Sequence, residues 1–413
     1  MHSNALRDLR PAWVEVDLDA IAHNTRAVKG LLTKSKLLAI VKADGYGCGA
    51  VQVARIMVAN GADKLGVVLL DEAIELRRAG IQAPILNVGG ILPEHAHLAV
   101  EYDIEQAVTS TAVAEALSGA ALAAGKQVAV HLKVDTGMSR WGVRFDQAPA
   151  WIAQVARLPG LRCEGVFTHF AMSDALDKSF TELQLWRFQQ VRRQVEAQGI
   201  HVPTWHAANS GAILDLPQAH LDMVRCGLLL YGYYPSPDVN MPLVLKPAMA
   251  VKARIMQVRS IARGDTVGYG RRYMAEGQER IAVLQIGYAD GYDRGLRNVG
   301  TVLIRGKRAP IVGGLCMDAC FVRVDAVGEV HVGEVVTLMG RDGEEEISPH
   351  DIADAIGSVS YEVMARFGSR LPRVYLRDGR PVSVKSLVTG FKEAGLNGDE
   401  QGPATARSQE ELR

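Results

Sequence analysis

The sequence predicts an α/β protein in which a (β/α)8 barrel of the TIM type is followed by a mainly antiparallel all-β domain. Three observations predict this fold. Eight short apolar segments alternate with helical ones over residues 37–231, reactive polar side chains follow several of those segments, and closely spaced short strands begin after residue 249. Continuous apolar strands separated by helices are typical of buried parallel sheets. A doubly wound open sheet is the alternative, but we find no topological switch point for it.

The elements of the barrel follow in chain order. A first strand over 13–18 would be a ninth beside the barrel's eight, so we expect residues 1–18 to pair with the second domain. Asp19 is a candidate N-cap for a helix over 20–32. The barrel strands are predicted at 37–41, 65–70, 84–88, 104–108, 128–134, 163–169, 204–208 and 223–231, with helices at 50–59, 72–79, 112–124, 148–157 and 178–198.

The second domain begins after a proline-rich stretch over 233–247. Strands are predicted at 250–261, 281–286, 301–304, 319–324, 335–339 and 373–375, and helices at 348–356 and 361–366. We therefore assign residues 19–240 to the barrel and 241–388 to the β domain. Residues 389–413 are polar with little to bury, which predicts a disordered tail.

Composition excludes several classes of function. Lys plus Arg and Asp plus Glu both number 46, so the net charge is 0 and argues against binding to nucleic acid or an anionic membrane. The sequence has no signal-peptide pattern or apolar run of membrane-spanning length. Five cysteines, an odd number, indicate reduced thiols and a cytoplasmic location, and their spacing does not suggest a metal site.

A lysine closes the first predicted barrel strand. Active sites of such barrels form at the carboxyl ends of the strands, where a partly desolvated lysine amine can form a Schiff base. Lys42 occupies such a position, and the alternative is a lysine that reaches solvent. Polar residues also end strands five to eight: Lys133, Arg140, His169, His206, Asn209, Ser210 and Arg225. Either histidine alone could be an ordinary core residue.

Two further segments suggest a binding site. Arg225, Gly227 and Ser210 could together hold a phosphate between strands seven and eight, although Arg225 could instead form an ion pair. In the second domain Tyr269 stands between two glycines, which predicts an accessible ring. An exposed turn tyrosine is the alternative.

Eight segments occur in an order that resembles the alanine racemases over nearly the whole folded chain. They are VKADGYG (41–47), HLKVDTGMSR (131–140), GVFTHFA (165–171), ANS (208–210), RCG (225–227), GYG (268–270), IGYADG (286–291) and CMD (316–318). The sequence departs from the family's pattern at Cys48, where a His is common, at Gly45, an Ala position, and at Ser369, which aligns with a tyrosine near the phosphate.

The resemblance implies pyridoxal 5'-phosphate as the cofactor and a homodimer with shared active sites. Lys42 would hold the cofactor as a Schiff base and act as one base, and Tyr269 of the other subunit would be the opposing base. The remaining implied roles are phosphate binding by Tyr46, Ser210, Gly227 and Leu228, cofactor contacts by His169, Asn209 and Arg225, substrate binding by Arg140 and the other subunit's Met317, and carbamylation of Lys133 as in some relatives.

The implied reaction is interconversion of L-alanine and D-alanine by two-base proton transfer, which would supply D-alanine for peptidoglycan. Racemisation of serine or of a broader set of amino acids is a close alternative. A non-catalytic pyridoxal-phosphate-binding protein and a decarboxylase are alternatives of other classes. A free tyrosine has a pKa of about 10, so Tyr269 would need cationic neighbours, for which His169 and Arg225 are the candidates.

Overall fold

The structure, a computed structural model, describes residues 9–393 and contains two large sheets. One has nine strands and forms a parallel barrel surrounded by helices, and the other has eleven strands and is mainly antiparallel. The predicted fold is confirmed. Residues 1–8 and 394–413 lie outside the described residues, and with them most of the segment predicted to be a disordered tail.

The first strand, β1 (Ala12–Asp17), belongs to the antiparallel sheet rather than to the barrel. It pairs antiparallel with Met249–Ile261 and parallel with Arg373–Arg377. The helix α1 (Leu18–Leu31) follows directly, and its N-cap is Asp17, whose Oδ1 accepts from the Ala20 N–H at 2.9 Å. The prediction of Asp19 as the cap is wrong because Leu18 is already helical, so Asp19 lies within the first turn.

The barrel is nearly closed. Its strands are β2 (Lys36–Ile40), β3 (Lys64–Val67), β4 (Ile85–Asn87), β5 (Glu105–Val108), β6 (Val128–Asp135), the short β7 (Val143–Arg144), β8 (Leu161–Phe167), β9 (Thr204–His206) and β10 (Met223–Cys226). They pair in the order β10-β2-β3-β4-β5-β6-β8-β9, with β7 on β6. Between β9 and β10, hydrogen bonds from Asp222 N to Trp205 O and from Arg225 N to Ala208 O stand in place of a ladder.

The helical segments of this part are α2 (Lys42–Tyr46), α3 (Ala50–Ala59), α4 (Leu70–Arg78), α5 (Ala96–Glu101), α6 (Thr111–Ala123), α7 (Ala148–Val155), α8 (Ser179–Ala197) and α9 (Ser210–Asp215). The predicted eighth strand, 223–231, is too long. It ends at Cys226, and Leu228–Tyr231 forms a 3-10 turn. That apolar run is buried because the turn packs into the core, so its composition alone could not distinguish turn from strand.

The second sheet contains β1 and the strands β11 (Met249–Ile261), β12 (Glu279–Leu284), β13 (Thr301–Ile304), β14 (Lys307–Pro310), β15 (Cys320–Arg323), β16 (Val335–Asp342), β17 (Glu345–Ile347), β18 (Arg373–Arg377), β19 (Arg380–Ser386) and β20 (Gly390–Glu393). Helices α10 (Pro349–Ile356) and α11 (Ser360–Ala365) precede β18. For 390–393 the prediction of disorder is wrong, because this segment pairs antiparallel with β19 as the edge strand of the sheet.

The two sheets meet at the loop that follows β2. The buried Arg373 of β18 donates from Nε to Gly47 O at 3.0 Å, and the neighbouring Tyr375 packs against Gly49 so closely that a Cβ there would lie 2.0 Å from its hydroxyl. The second sheet therefore supports the backbone beside Lys42. Of the helices in 9–393, none combines the length and apolarity that crossing a membrane requires.

Candidate active site

A cavity of about 450 Å³ opens at the carboxyl ends of the barrel strands. Ten residues singled out from the sequence line it: Lys42, Tyr46, Lys133, Arg140, His169, Asn209, Ser210, Arg225, Gly227 and Leu228. They come from β2, β6, β8, β9 and β10 or from the loops directly after these strands. Parallel strands bring their carboxyl ends to one face of a barrel, and this brings the ten residues together.

The segment after Lys42 is a left-handed turn. From Ala43 to Gly47 the φ angles are 53°, 50°, 62°, 53° and 81°. A non-glycine residue in this conformation costs about 1–2 kcal/mol, so tertiary contacts must hold the turn. Asp44 Oδ1 accepts from Ala50 N at 2.9 Å, and the Ala43 N–H donates to Glu72 Oε1 at 2.6 Å. The turn brings Tyr46 into the same cavity as Lys42.

The Lys42 amine lies in a partly desolvated, positively charged environment. Burial lowers its pKa, and the nearby charge of Arg140 lowers it further against the opposing effect of Glu72. The neutral amine is therefore more available than in a free lysine, which favours both nucleophilic attack and acceptance of a proton.

Arg225 is buried, and its guanidinium is held by four acceptors. The two N–H groups of Nη2 are shared among the carbonyl oxygens of Thr168 and Ala207, both at 2.7 Å, and His169 Nδ1 at 3.1 Å. Nη1 donates to His206 Nδ1 at 2.9 Å. Burial and Arg140 lower the pKa of Arg225 to about 9, which still leaves the guanidinium protonated at neutral pH. No carboxylate within residues 9–393 forms a salt bridge with it, so the ion-pair alternative is wrong.

His169 is a neutral imidazole. Burial lowers its pKa well below the usual value, and the charges of Arg225 and Lys133 lower it further. Because its Nδ1 accepts from Arg225, its remaining proton resides on Nε2. A second cation beside Arg225 would be strongly disfavoured, so the predicted role of His169 as a cationic neighbour of Tyr269 has no support in this environment.

A small cradle lies between the ends of β9 and β10. The Gly227 N–H donates to Ser210 Oγ at 3.1 Å, and a Cβ on Gly227 would lie 2.5 Å from the Tyr46 hydroxyl oxygen. The Tyr46 ring is in turn packed against Tyr231, with ring centroids 4.6 Å apart. Only glycine fits at position 227, and the backbone N–H, a serine hydroxyl and a tyrosine hydroxyl converge there.

Two further basic residues, Lys133 and Arg140, line the cavity. Lys133 is buried with Nζ 4.4 Å from the centre of the Phe167 ring, and burial together with Arg225 and Arg140 lowers its pKa well below the usual value. Partial burial also lowers the pKa of Arg140. Against the basic residues Lys42, Lys133, Arg140 and Arg225, Asp174 is the single carboxylate among the described lining residues, so the cavity favours an anionic ligand.

Tyr361, which was not predicted from the sequence, also lines the cavity, with its ring centroid 6.2 Å from that of Tyr46. It comes from α11 in the second domain, so a search of barrel strand ends could not find it. Ser369 is exposed and outside the cavity. Position 369 therefore makes no contact with this cavity, and Tyr361 is a tyrosine that the second domain contributes to it.

Tyr269 and Met317 do not line the cavity of their own chain. Their side chains are 79% and 52% exposed. They lie on neighbouring loops, because Gly268 and Gly314 form a β-bridge, and the backbone of Tyr288 donates to Cys316 O at 3.2 Å. Both residues therefore project from one surface of the second domain and are free to contact another molecule.

The comparisons with known proteins place this barrel, with a lysine in its basic cavity and an antiparallel domain joined to it, in the class of two-domain racemases, which are isomerases. The family model of the alanine racemase N-terminal domain matches residues 16–235, and that of the C-terminal domain matches 248–375. The chain belongs to the alanine racemase family.

Individual relatives agree with this assignment. The chain is 46% identical over 368 residues to an alanine racemase of Desulfovibrio desulfuricans, covering 89% of this chain and 98% of that protein. The solved alanine racemase of Clostridium difficile 630 superposes with a TM-score of 0.87 at 37% identity, over 91% of this chain and 98% of the other. A histidine racemase of Leuconostoc mesenteroides is also similar, with a TM-score of 0.82 at 30% identity, over 89% and 98% of the two chains.

Proposed function

We propose that this protein interconverts L-alanine and D-alanine with pyridoxal 5'-phosphate bound in the barrel cavity. The observation that carries the proposal is the cavity itself, in which the Lys42 amine with its lowered pKa stands among cations at the carboxyl face of the barrel. The D-alanine produced supplies peptidoglycan synthesis.

The residues of the cavity fit this cofactor. Four basic residues, Lys42, Lys133, Arg140 and Arg225, surround a space of about 450 Å³, which suits a small ligand with a phosphate and a phenolate. The cradle at Gly227 has the donors and the close backbone approach that a phosphate requires. We assign phosphate binding to Tyr46, Ser210, Gly227 and Leu228, and further cofactor contacts to His169 and Asn209.

Lys42 and Arg225 have distinct tasks. The Lys42 amine attaches the cofactor and then takes or returns a proton on one face of the substrate. A guanidinium can only donate hydrogen bonds, so a ring nitrogen that faces Arg225 must accept one and stays unprotonated. The chemistry supplied by the bound cofactor is delocalisation of the negative charge that remains when an α-hydrogen leaves.

Racemisation requires a second base on the opposite face. We assign it to Tyr269 of a second copy of the chain, because Tyr269 lies outside its own cavity and is exposed. Met317 shares that surface and contributes to binding of the substrate carboxylate together with Arg140. The active protein is accordingly a homodimer whose two sites each use both chains.

Lys133 is proposed to be carbamylated. A neutral amine attacks carbon dioxide and releases a proton as the carbamate forms, and the lowered pKa of Lys133 favours the neutral amine. The product is an anion among the remaining cations, so it would reduce the excess positive charge of the wall and orient Arg140.

The decisive experiment follows the chirality of L-alanine by chiral chromatography in the presence of the purified protein and pyridoxal phosphate. Lys42→Ala is expected to abolish the reaction, with a loss of about a thousandfold or more. Lys36→Ala is the matched control, because Lys36 is the exposed first residue of the strand that Lys42 follows. Retention of L-alanine by the wild-type protein would refute the proposal.

Substrate breadth needs its own measurement, because one of the similar structures is a histidine racemase. Turnover of L-alanine, L-serine and L-histidine compared under the same conditions separates an alanine enzyme from one of broader specificity. We expect L-alanine to have the highest kcat/KM.

A further inference from the structure

Beneath the cavity, five side chains form a continuous hydrogen-bonded series across the barrel interior. Lys64 Nζ contacts both oxygens of Glu105 at 2.7 Å, and Glu105 Oε2 lies 3.0 Å from His131 Nε2. His131 Nδ1 lies 3.0 Å from His206 Nε2, and His206 Nδ1 lies 2.9 Å from Arg225 Nη1. The series spans strands β3, β5, β6, β9 and β10, and we call it the Lys64–Arg225 series.

The direction of every hydrogen bond in this series is fixed by its ends. Arg225 can only donate, so His206 Nδ1 accepts and the proton of His206 is on Nε2. That proton is donated to His131 Nδ1, so His131 carries its own proton on Nε2 and donates it to the Glu105 carboxylate. Both histidines are then neutral and in the same tautomer, and no link has two donors or two acceptors facing each other.

Charge compensation gives the series a second role. Arg225 has no carboxylate in direct contact within the described residues, and burying a cation without compensation is costly. Glu105 is the one carboxylate of the series. Despite its burial, the hydrogen bond with His131 and the ammonium of Lys64 lower its pKa to about 2. Glu105 therefore remains an anion, and the imidazoles of His131 and His206 connect it to the guanidinium of Arg225.

The barrel leaves room for this arrangement at Gly165. A Cβ on Gly165 would lie 2.3 Å from His131 Nδ1, the atom that accepts from His206. Any larger residue would displace the imidazole ring and break the connection between His131 and His206.

We propose that Glu105 is a positioning residue for Arg225, which it holds through His131 and His206 in one orientation at the floor of the cavity. This inference rests on the proposed contact between Arg225 and the cofactor. Without the Glu105 carboxylate as an acceptor, the Nε2-protonated tautomer of His131 is no longer fixed and, through it, neither is that of His206. Reversal of His206 would turn an N–H toward Arg225 and remove one of the four acceptors that orient the guanidinium.

The main test is the double variant Lys64→Met/Glu105→Leu, which replaces the buried ion pair with apolar residues of similar volume, an exchange that proteins often tolerate. The control is Asn87→Leu/Gln106→Met. It removes another fully buried polar pair of this barrel, with a 3.0 Å hydrogen bond, that has no link to Arg225. Gly165→Ala perturbs the same series sterically and leaves Glu105 in place.

The first readout is the set of imidazole nitrogen chemical shifts of the full-length protein with isotope-labelled histidine. We expect wild-type His131 and His206 to be protonated at Nε2 only. The double variant and Gly165→Ala should add a population of His206 protonated at Nδ1, and the control pair should not. Unchanged His206 signals in both test variants would overturn the proposal.

The second readout is kcat/KM for racemisation with saturating cofactor. Loss of one charge-assisted hydrogen bond at Arg225 corresponds to about a tenfold decrease in the double variant. The control pair should remain within about twofold of the wild type. Altered histidine signals with unchanged kcat/KM would also overturn the positioning role. If the wild-type protein fails to racemise alanine, the proposed function fails, and the histidine signals still decide whether Glu105 anchors Arg225.

Discussion

Replacing Gly227 with alanine adds a single methyl group to the proposed phosphate cradle and so tests where the phosphate binds. The new Cβ would lie 2.5 Å from the Tyr46 hydroxyl oxygen and 3.3 Å from Cζ of that ring. The backbone at Gly227, with φ −115° and ψ −98°, is also unfavourable for a residue with a side chain. The methyl group therefore enters the space in which the Gly227 N–H, Ser210 and Tyr46 converge.

The magnitude follows from how little Tyr46 can move. Relief of the contact requires a displacement of about 1 Å. The ring packs against the buried Tyr231 at 4.6 Å, and the Tyr46 backbone already has a φ of 53°. Overpacking of this kind costs about 1–3 kcal/mol. If the bound phosphate bears a cost near the middle of this range, about 2 kcal/mol, the affinity for pyridoxal phosphate falls about thirtyfold.

The assay is an absorbance titration of cofactor-free protein with pyridoxal phosphate, which yields a Kd. Gly119→Ala is the control, because Gly119 lies inside helix α6 with nothing within 4 Å of a new Cβ. That exchange should raise stability by about 0.5–1 kcal/mol and leave the Kd unchanged. A folded Gly227→Ala protein with the wild-type Kd would show that the phosphate lies elsewhere.

Four further outcomes are expected. Tyr269→Phe should lower kcat about a hundredfold or more without changing Tm, because that side chain is 79% exposed; a kcat close to wild type would eliminate it as a base. Arg10→Met should lower the free energy of unfolding by about 2 kcal/mol, because Arg10 contacts the fully buried Asp290 carboxylate at 2.6 Å. A denaturant titration measures this, and an unchanged unfolding midpoint would contradict it. Intact-mass spectrometry in bicarbonate should detect one carbon dioxide adduct that Lys133→Met lacks, and an adduct in both proteins would assign it to another site. Attachment of pyridoxal phosphate should accelerate as pH rises and the Lys42 amine deprotonates, with a stopped-flow midpoint below 10.5; a midpoint at or above 10.5 would argue against a lowered pKa.

The cavity could be predicted from the sequence because strand ends in a parallel barrel all point to one face. Once the apolar runs around Lys42, Lys133 and Arg225 are identified as strands, their polar ends must converge, whatever the details of the loops. The exact ends of the strands could not be predicted as well from the sequence. The run 223–231 is apolar throughout because all of it is buried, so nothing in its composition marks the end of β10 at Cys226.

Contacts between distant parts of the chain were beyond prediction by pattern. Tyr361 reaches the cavity from α11, and the left-handed turn after Lys42 puts Ala43 and Asp44 in a conformation that their residue types disfavour. The network from Lys64 to Arg225 depends on which buried side chains face each other across the barrel. These features arise from tertiary packing, which outweighs local preference.

The left-handed turn also has a consequence for biosynthesis. Arg373 binds its backbone at Gly47 and Tyr375 packs against Gly49, and both residues belong to β18, which follows the barrel by more than a hundred residues in the chain. A ribosome therefore releases the barrel before that strand. Until β18 is synthesised, the nascent barrel lacks these two contacts, and the turn beside Lys42 is held only by contacts within the barrel.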